Sequence, residues 1–140
     1  IAGSGARPVW VADAAEGMAA SIRAGVAALP DRCAGAMILP ADMPDLTTGD
    51  LDAMLDAFEA APPPRPILRA TDAQGAPGHP VVFPRDLFAA LRALHGDTGA
   101  RGVVAAHRDR LRLLPLPGGH ATTDLDTPAD WARWRARDTE

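Results

Sequence analysis

The stretch Ala36 to Pro44, AMILPADMP, constrains this chain more than any other. Ala36, Met37, Ile38 and Leu39 form a short unbroken apolar run that stops at Pro40. Bounded by turn residues, such a run reads as a buried strand of a parallel sheet covered on both faces. Pro44 has no N–H for a ladder, so the backbone must leave the sheet there. Asp42 then stands at the carboxyl edge of the sheet, where open α/β folds bind ligands. The same place suits an aspartate that merely caps the next turn, and spacing leaves both readings open.

The 140 residues, 47% hydrophobic and 23% charged, amount to one domain's worth of ordinary globular chain or less. A formal net charge of −4 argues against a nucleic-acid surface. All 14 basic residues are Arg, so any step that needs a Lys must be supplied from outside this sequence. A lone cysteine, Cys33, excludes an internal disulfide framework and fits a reducing compartment. No apolar run approaches a membrane span and no signal-peptide pattern opens the chain, so a cytoplasmic setting is expected.

Along the chain, Ile1 to Arg7 (IAGSGAR) imitates a glycine-rich phosphate loop, but such a loop should follow a strand and open a helix. Here Pro8 to Val11 follows, and is predicted to be a strand. Met18, Ile22, Val26 and Leu29 predict a helix from Gly17 to Leu29, stopped by Pro30. Ser21 in it reads as a small packing residue. Thr47 and Asp50 make a capping-box-like start for a helix with Leu51, Met54, Leu55 and Phe58 on one face, ended by the Pro62–Pro66 cluster.

Ile67–Thr71 and Val81–Phe83 read as strands too close for a helical crossover, hence antiparallel. A mainly parallel sheet with one reversed strand follows. Pro84 starts a helix with Leu87, Phe88, Leu91 and Leu94 on one side, and Gly96 to Arg101 turns into a short helix with Val103 and Val104. Leu111 to Leu116 is a late strand ending at Pro117-Gly118-Gly119. Thr127, Pro128 and Asp130 start a last helix, which Trp131 and Trp134 can dock.

Asp42 and the Asp124/Asp126 pair stand at turns. If those turns share a sheet edge, the carboxylates converge in the manner of an Mg²⁺ site, which uses one or two protein carboxylates plus water and phosphate oxygens. Asp130 reads as a capping acid. His79, between Gly78 and Pro80, has no second His or Cys at ligand spacing, so zinc is not expected. His95, His107 and His120 read as ordinary surface or loop histidines. No GxSxG elbow exists and Cys33 has no base partner, which argues against a nucleophilic hydrolase.

Taken together and in order, EGMAASIRAG, LPADMP, Gly75 to Phe83, GDTGAR and DLDTPAD resemble the MobA-like nucleotidyltransferases, in particular the molybdenum-cofactor cytidylyltransferase branch. The resemblance implies a Rossmann-like α/β fold, with a mostly parallel sheet, one reversed strand and helices on both faces. It implies transfer of CMP from CTP (or another nucleotide from its NTP) to molybdopterin with release of pyrophosphate, Mg²⁺ as cofactor, and a molybdoenzyme as recipient. Asp42 matches the catalytic, metal-binding acid of the family's aspartate–proline turn, and Asp124, or less closely Asp126, the second metal-side position. Gly17 and Ser21 match the segment lying against base and ribose. Gly78, His79 and Pro80, with Asp97, match the loops facing the acceptor.

Other phosphorylated acceptors, a methylerythritol phosphate or a sugar phosphate, fit the same class. An oxidoreductase or accessory binding protein on the same fold is the alternative class, against which the lack of a GxGxxG after a strand counts. Family members open with a strand and a glycine-rich loop, AAGxSxRMG, followed by a Lys; this sequence has neither. Residues 1–140 thus resemble the C-terminal two-thirds of one such domain, and the bare chain is expected to expose a sheet edge and to catalyse poorly.

Overall fold

The computed structural model describes residues 3–137, so Ile1 and Ala2 of the IAGSGAR stretch lie outside the described residues. The elements run α1 (Met18–Ala27), β1 (Gly35–Ile38), α2 (Thr48–Ala60), β2 (Ile67–Thr71), β3 (Pro77–Pro84), α3 (Phe88–Arg92), α4 (Arg101–Ala106), β4 (Leu111–Pro115) and α5 (Pro128–Arg137). This is the α/β fold expected from the sequence. The strands form a four-stranded sheet in the order β1-β3-β2-β4. β2 and β3 pair antiparallel, Leu68 opposite Val82 and Arg69 opposite Val81, with an irregularity between Arg69 and Thr71. The short connection dictates this reversal, because a parallel return needs a crossover of a dozen or more residues.

Two expectations fail. β1 is an end strand of the sheet rather than an interior one, and of its residues only Ala36 is buried. An unbroken apolar run reports low polarity, not how many neighbours the strand acquires. Pro8 to Val11 forms no strand; Trp10 is 91% exposed there. A β-propensity run becomes a strand only when a ladder partner takes its N–H and C=O groups, and Pro8 lacks the N–H altogether.

The residues cluster into two compact units, one holding the chain up to Ala36 with Phe83–Leu111, the other Met37–Val82 with the chain from Arg112. In the first, α1 packs on α3. Ile22 and Val26 on α1, and Leu87, Phe88 and Leu91 at and in α3, are all buried, as their helical spacing predicts. Met18 departs from that stripe and is 48% exposed.

In the second unit, Met54 and Phe58 of α2 join Leu68 and Ala70 of β2, Val82 of β3, Leu116 and Ala121 in one buried cluster. Burial of each large side chain there contributes about 1.5–3 kcal/mol. Leu55, expected on the same face, is 43% exposed, and Ala57 packs against the cluster instead. The predicted capping box at α2 is present in full: Asp50 N–H donates to Thr47 Oγ1 at 3.2 Å and Thr47 N–H donates to Asp50 Oδ2 at 2.8 Å. Thr127 and Asp130 repeat it at α5, at 3.2 and 2.9 Å. α5 buries none of its residues fully; it is tied down by Trp134, whose Nε1–H donates to Asp45 Oδ1 at 2.6 Å, with Trp131 edge-on to Trp134 at 6.0 Å. Among the described residues no helix is long and apolar enough to cross a membrane.

Candidate active site

The turn after β1 carries Asp42, and Pro40 and Pro44 on either side keep it out of any ladder. Met43 is buried and holds the turn down. Asp42 itself is half-buried; its Oδ1 is buried and accepts no hydrogen bond among the described residues. Native structures rarely leave a buried carboxylate oxygen so, because water has been removed without replacement. The Asp42 carbonyl is occupied, accepting from Leu125 N–H at 3.0 Å. Leu125 is buried while Asp124 beside it is exposed. Thus the two acidic turns meet at the backbone, through the residue that follows Asp124. Asp126 is likewise exposed, and Asp130 serves α5 as a cap.

The loop from Leu116 to Leu125 joins the other parts. Leu116 N–H donates to Thr71 O at 2.8 Å, Ala73 N–H to Gly118 O at 2.9 Å, and Thr122 Oγ1 to Asp72 Oδ2 at 3.3 Å. His79 N–H donates to Ala121 O at 2.9 Å. Gly78, next to it, is buried, and a Cβ there would stand 1.8 Å from that same carbonyl. Only glycine fits. The Gly78-His79-Pro80 segment, expected to lead into a strand, is itself the beginning of β3. Pro80 is buried and His79 half-buried.

One part of this region was not legible beforehand. His120, read as an ordinary loop histidine, places Nδ1 2.9 Å from Asp50 Oδ2. Asp50 is 5% exposed, and the same oxygen also accepts from the Thr47 N–H and hydroxyl at 2.8 and 2.7 Å. Burial pushes the Asp50 carboxyl up, but the Thr47 and His120 hydrogen bonds outweigh it and hold the group below its ordinary value. Asp45 behaves alike: burial opposes, and Trp134, Thr123, Arg137 and the nearby His120 prevail. The capping acid was visible in the sequence; a partner far along the chain was not. His95 and His107 stay ordinary, His95 near Glu16 at 3.6 Å and His107 on Val103 O at 2.9 Å.

The remaining predicted residues lie in the other unit. Gly17 caps α1 with φ +106°, and its missing Cβ would fall 2.6 Å from Asp97 Oδ1. The Gly96 carbonyl accepts from Ala19 N–H at 3.3 Å, and Gly96 N–H donates to Glu16 Oε1 at 3.0 Å. Glu16 also accepts from both terminal nitrogens of Arg23, at 2.9 and 2.5 Å. That guanidinium, then the Gly96 N–H, bring the Glu16 carboxyl down to about 2. Gly17 and Asp97, assigned to different substrates by the resemblance, therefore touch. Ser21 is exposed. A shallow hollow of about 260 Å³ lined by Trp10, Asp13, Ala20, Arg23 and neighbours contains none of the predicted site residues.

The MobA-like NTP transferase domain matches residues 1–111 of this chain. The chain belongs to that family. The match takes in Gly17, Ser21, Asp42, Gly78, His79, Pro80 and Asp97, while Asp124 lies beyond it. Among solved structures, Rv0371c from Mycobacterium tuberculosis H37Rv is 32% identical, with a TM-score of 0.70, over 83% of this chain and 58% of that one. Its complex with manganese aligns at 30% identity and a TM-score of 0.66, over 81% of this chain and 57% of that one. A homolog from mycobacterium sp. strain JC1 shares the fold at 24% identity and a TM-score of 0.70, over 85% and 57%. The chain thus spans less than two thirds of the length of these solved structures. No curated protein is similar enough to count as a match.

The donor set at the Asp42 turn fits a hard divalent cation. Among the described residues no three His, Cys, Asp or Glu side chains gather as metal ligands. An orphaned carboxylate oxygen is instead what Mg²⁺ or Mn²⁺, which take one or two protein carboxylates, use when water and phosphate oxygens complete the shell.

Proposed function

We propose that this domain takes part in cytoplasmic transfer of CMP from CTP to molybdopterin, with release of pyrophosphate. An acceptor phosphate oxygen forms the new bond to the α-phosphorus while the bond to pyrophosphate breaks. Asp42 and Asp124 would hold Mg²⁺, which when bound neutralises the transferring phosphoryl group. Gly17 and Ser21 bind the nucleotide; Gly78, His79 and Pro80, with Asp97, bind the acceptor. Residues 1–140 are the C-terminal two-thirds of the parent domain in this reading, and a molybdoenzyme receives the product.

The observation that carries the reading is the Asp42 turn: a buried carboxylate oxygen without a partner, tied through Leu125 to the Asp124 loop. The manganese complex of Rv0371c gives independent support for a divalent cation in this family. The test is Mn²⁺ titration of the chain, followed by electron paramagnetic resonance, with Asp42→Asn beside it. Binding by the wild type that Asp42→Asn abolishes, with an unchanged circular-dichroism spectrum, is expected; equal binding by the two removes Asp42 from the site. Pyrophosphate release with CTP and molybdopterin, set against GTP and against sugar phosphates, tests the substrates.

A further inference from the structure

We propose that His120 is a positioning residue for the Asp42–Asp124 face, acting through Asp50. The proposal rests on the metal-assisted reading of that face. Three observations meet at this ring. First, its Nδ1–H donates to a carboxylate that is buried and already locked by both groups of Thr47, so the acceptor cannot move to follow the histidine. Second, His120 closes one tight turn and lies inside the next: its N–H donates to Pro117 O at 3.1 Å, and the N–H groups of Thr122 and Thr123 both donate to Gly119 O at 2.9 Å. Third, the residues just past it make the contacts that define the face, Ala121 O to His79 N–H and Leu125 N–H to Asp42 O.

A loop of this composition has little side-chain bulk to hold itself; Gly118 and Gly119 precede the histidine and only Ala121 and Leu125 after it are fully buried. The hydrogen bond to a fixed carboxylate anchors the turn at its histidine, beside the Ala73 N–H to Gly118 O and Thr122 Oγ1 to Asp72 Oδ2 contacts that hold the residues on either side. The backbone carries that anchorage forward to Ala121 and to Asp124. His120 also lies within electrostatic reach of Asp45, which Trp134 and Arg137 hold. Both carboxylates that bracket the start of α2 thus feel this ring. A hydrogen bond to an ionised group is roughly twice as strong as a neutral one, so among the contacts of this loop the one from His120 carries a large share.

Mn²⁺ binding to the chain, again by paramagnetic resonance, separates the possibilities with four proteins: wild type, Asp42→Asn, His120→Phe and His120→Asn. Phe keeps the ring volume and loses the donor; Asn places an amide N–H where Nδ1–H stood. The expected result is binding about tenfold weaker in His120→Phe and close to wild type in His120→Asn, the size of effect that outer residues have on metal sites. Amide exchange from Ala121 to Leu125 should quicken in His120→Phe alone. If His120→Phe does not fold by circular dichroism, His120→Gln, whose longer side chain misplaces the amide, takes its place. Wild-type affinity in the donor-less variant overturns the proposal. So does an Asn variant as weak as the Phe variant, since bulk and not the hydrogen bond would then matter. If Asp42→Asn and wild type bind Mn²⁺ alike, the metal reading itself has failed, and this inference falls with it.

Discussion

Leu125 donates its backbone N–H to the carbonyl of Asp42 at 3.0 Å, joining the turn after β1 to the loop after β4. Because the contact is between backbones, it leaves both carboxylates, Asp42 and Asp124, outside the bond. Two acidic turns held by their main chains have side chains to spare for a third party.

Gly78→Ala forces a Cβ to within 1.8 Å of the Ala121 carbonyl, a distance only backbone movement can relieve. A loss of about 1–3 kcal/mol or more, as for other overpacked sites, is expected in urea unfolding. An unchanged midpoint would mean that the loop is loose enough to give way.

Gly17→Ala meets two obstacles, a φ of +106° and the Asp97 carboxylate 2.6 Å from the new carbon. The backbone term costs roughly 1–3 kcal/mol. Amide exchange from Gly96 to Gly99 should accelerate, because Asp97 has to leave its place. Exchange equal to wild type would show that the two segments are independent.

His79→Ala separates side chain from backbone. The N–H that reaches Ala121 O survives the substitution, so the fold should hold. The KM for the acceptor is then expected to rise far more than that for CTP. Equal changes in both constants would mark a structural histidine.

Acid should destabilise the chain in a defined window. The carboxyls of Asp50 and Asp45 lie below their ordinary values in the folded state, against the effect of their burial, and Asp86 is held down by Arg110. Depressed folded pKa values mean that the stabilisation is complete above the unfolded value, about 3.9, and drains as pH falls through the lower folded ones. Urea midpoints should therefore show little carboxylate-linked change above about pH 5 and fall below about pH 4. A midpoint that rises on acidification contradicts the assigned partners.

Signals in the sequence report structure faithfully where the physics is local. Thr47 with Asp50 and Thr127 with Asp130 announced two helix starts, and the short link between β2 and β3 announced a reversed pair. Each rests on groups a few residues apart, so no knowledge of the remote chain was needed. Pro8 to Val11 and the apolar run at β1 depart from expectation for the opposite reason. Whether a strand forms, and how deeply it lies, depends on neighbours that propensity does not name.

By itself, then, the sequence determined the type of most elements, the capping boxes of α2 and α5, the α/β class and the family, and it singled out Asp42 at the end of its strand. Tertiary structure alone decided that Leu125 rests on the Asp42 turn, that Ala121 leaves no room for a side chain at Gly78, and that Gly17 faces Asp97. It also turned an unremarked His120 into the partner of a buried carboxylate. These are contacts between residues far apart in the chain. Their geometry follows from how the sheet and loops fill space, and no spacing in the sequence encodes it.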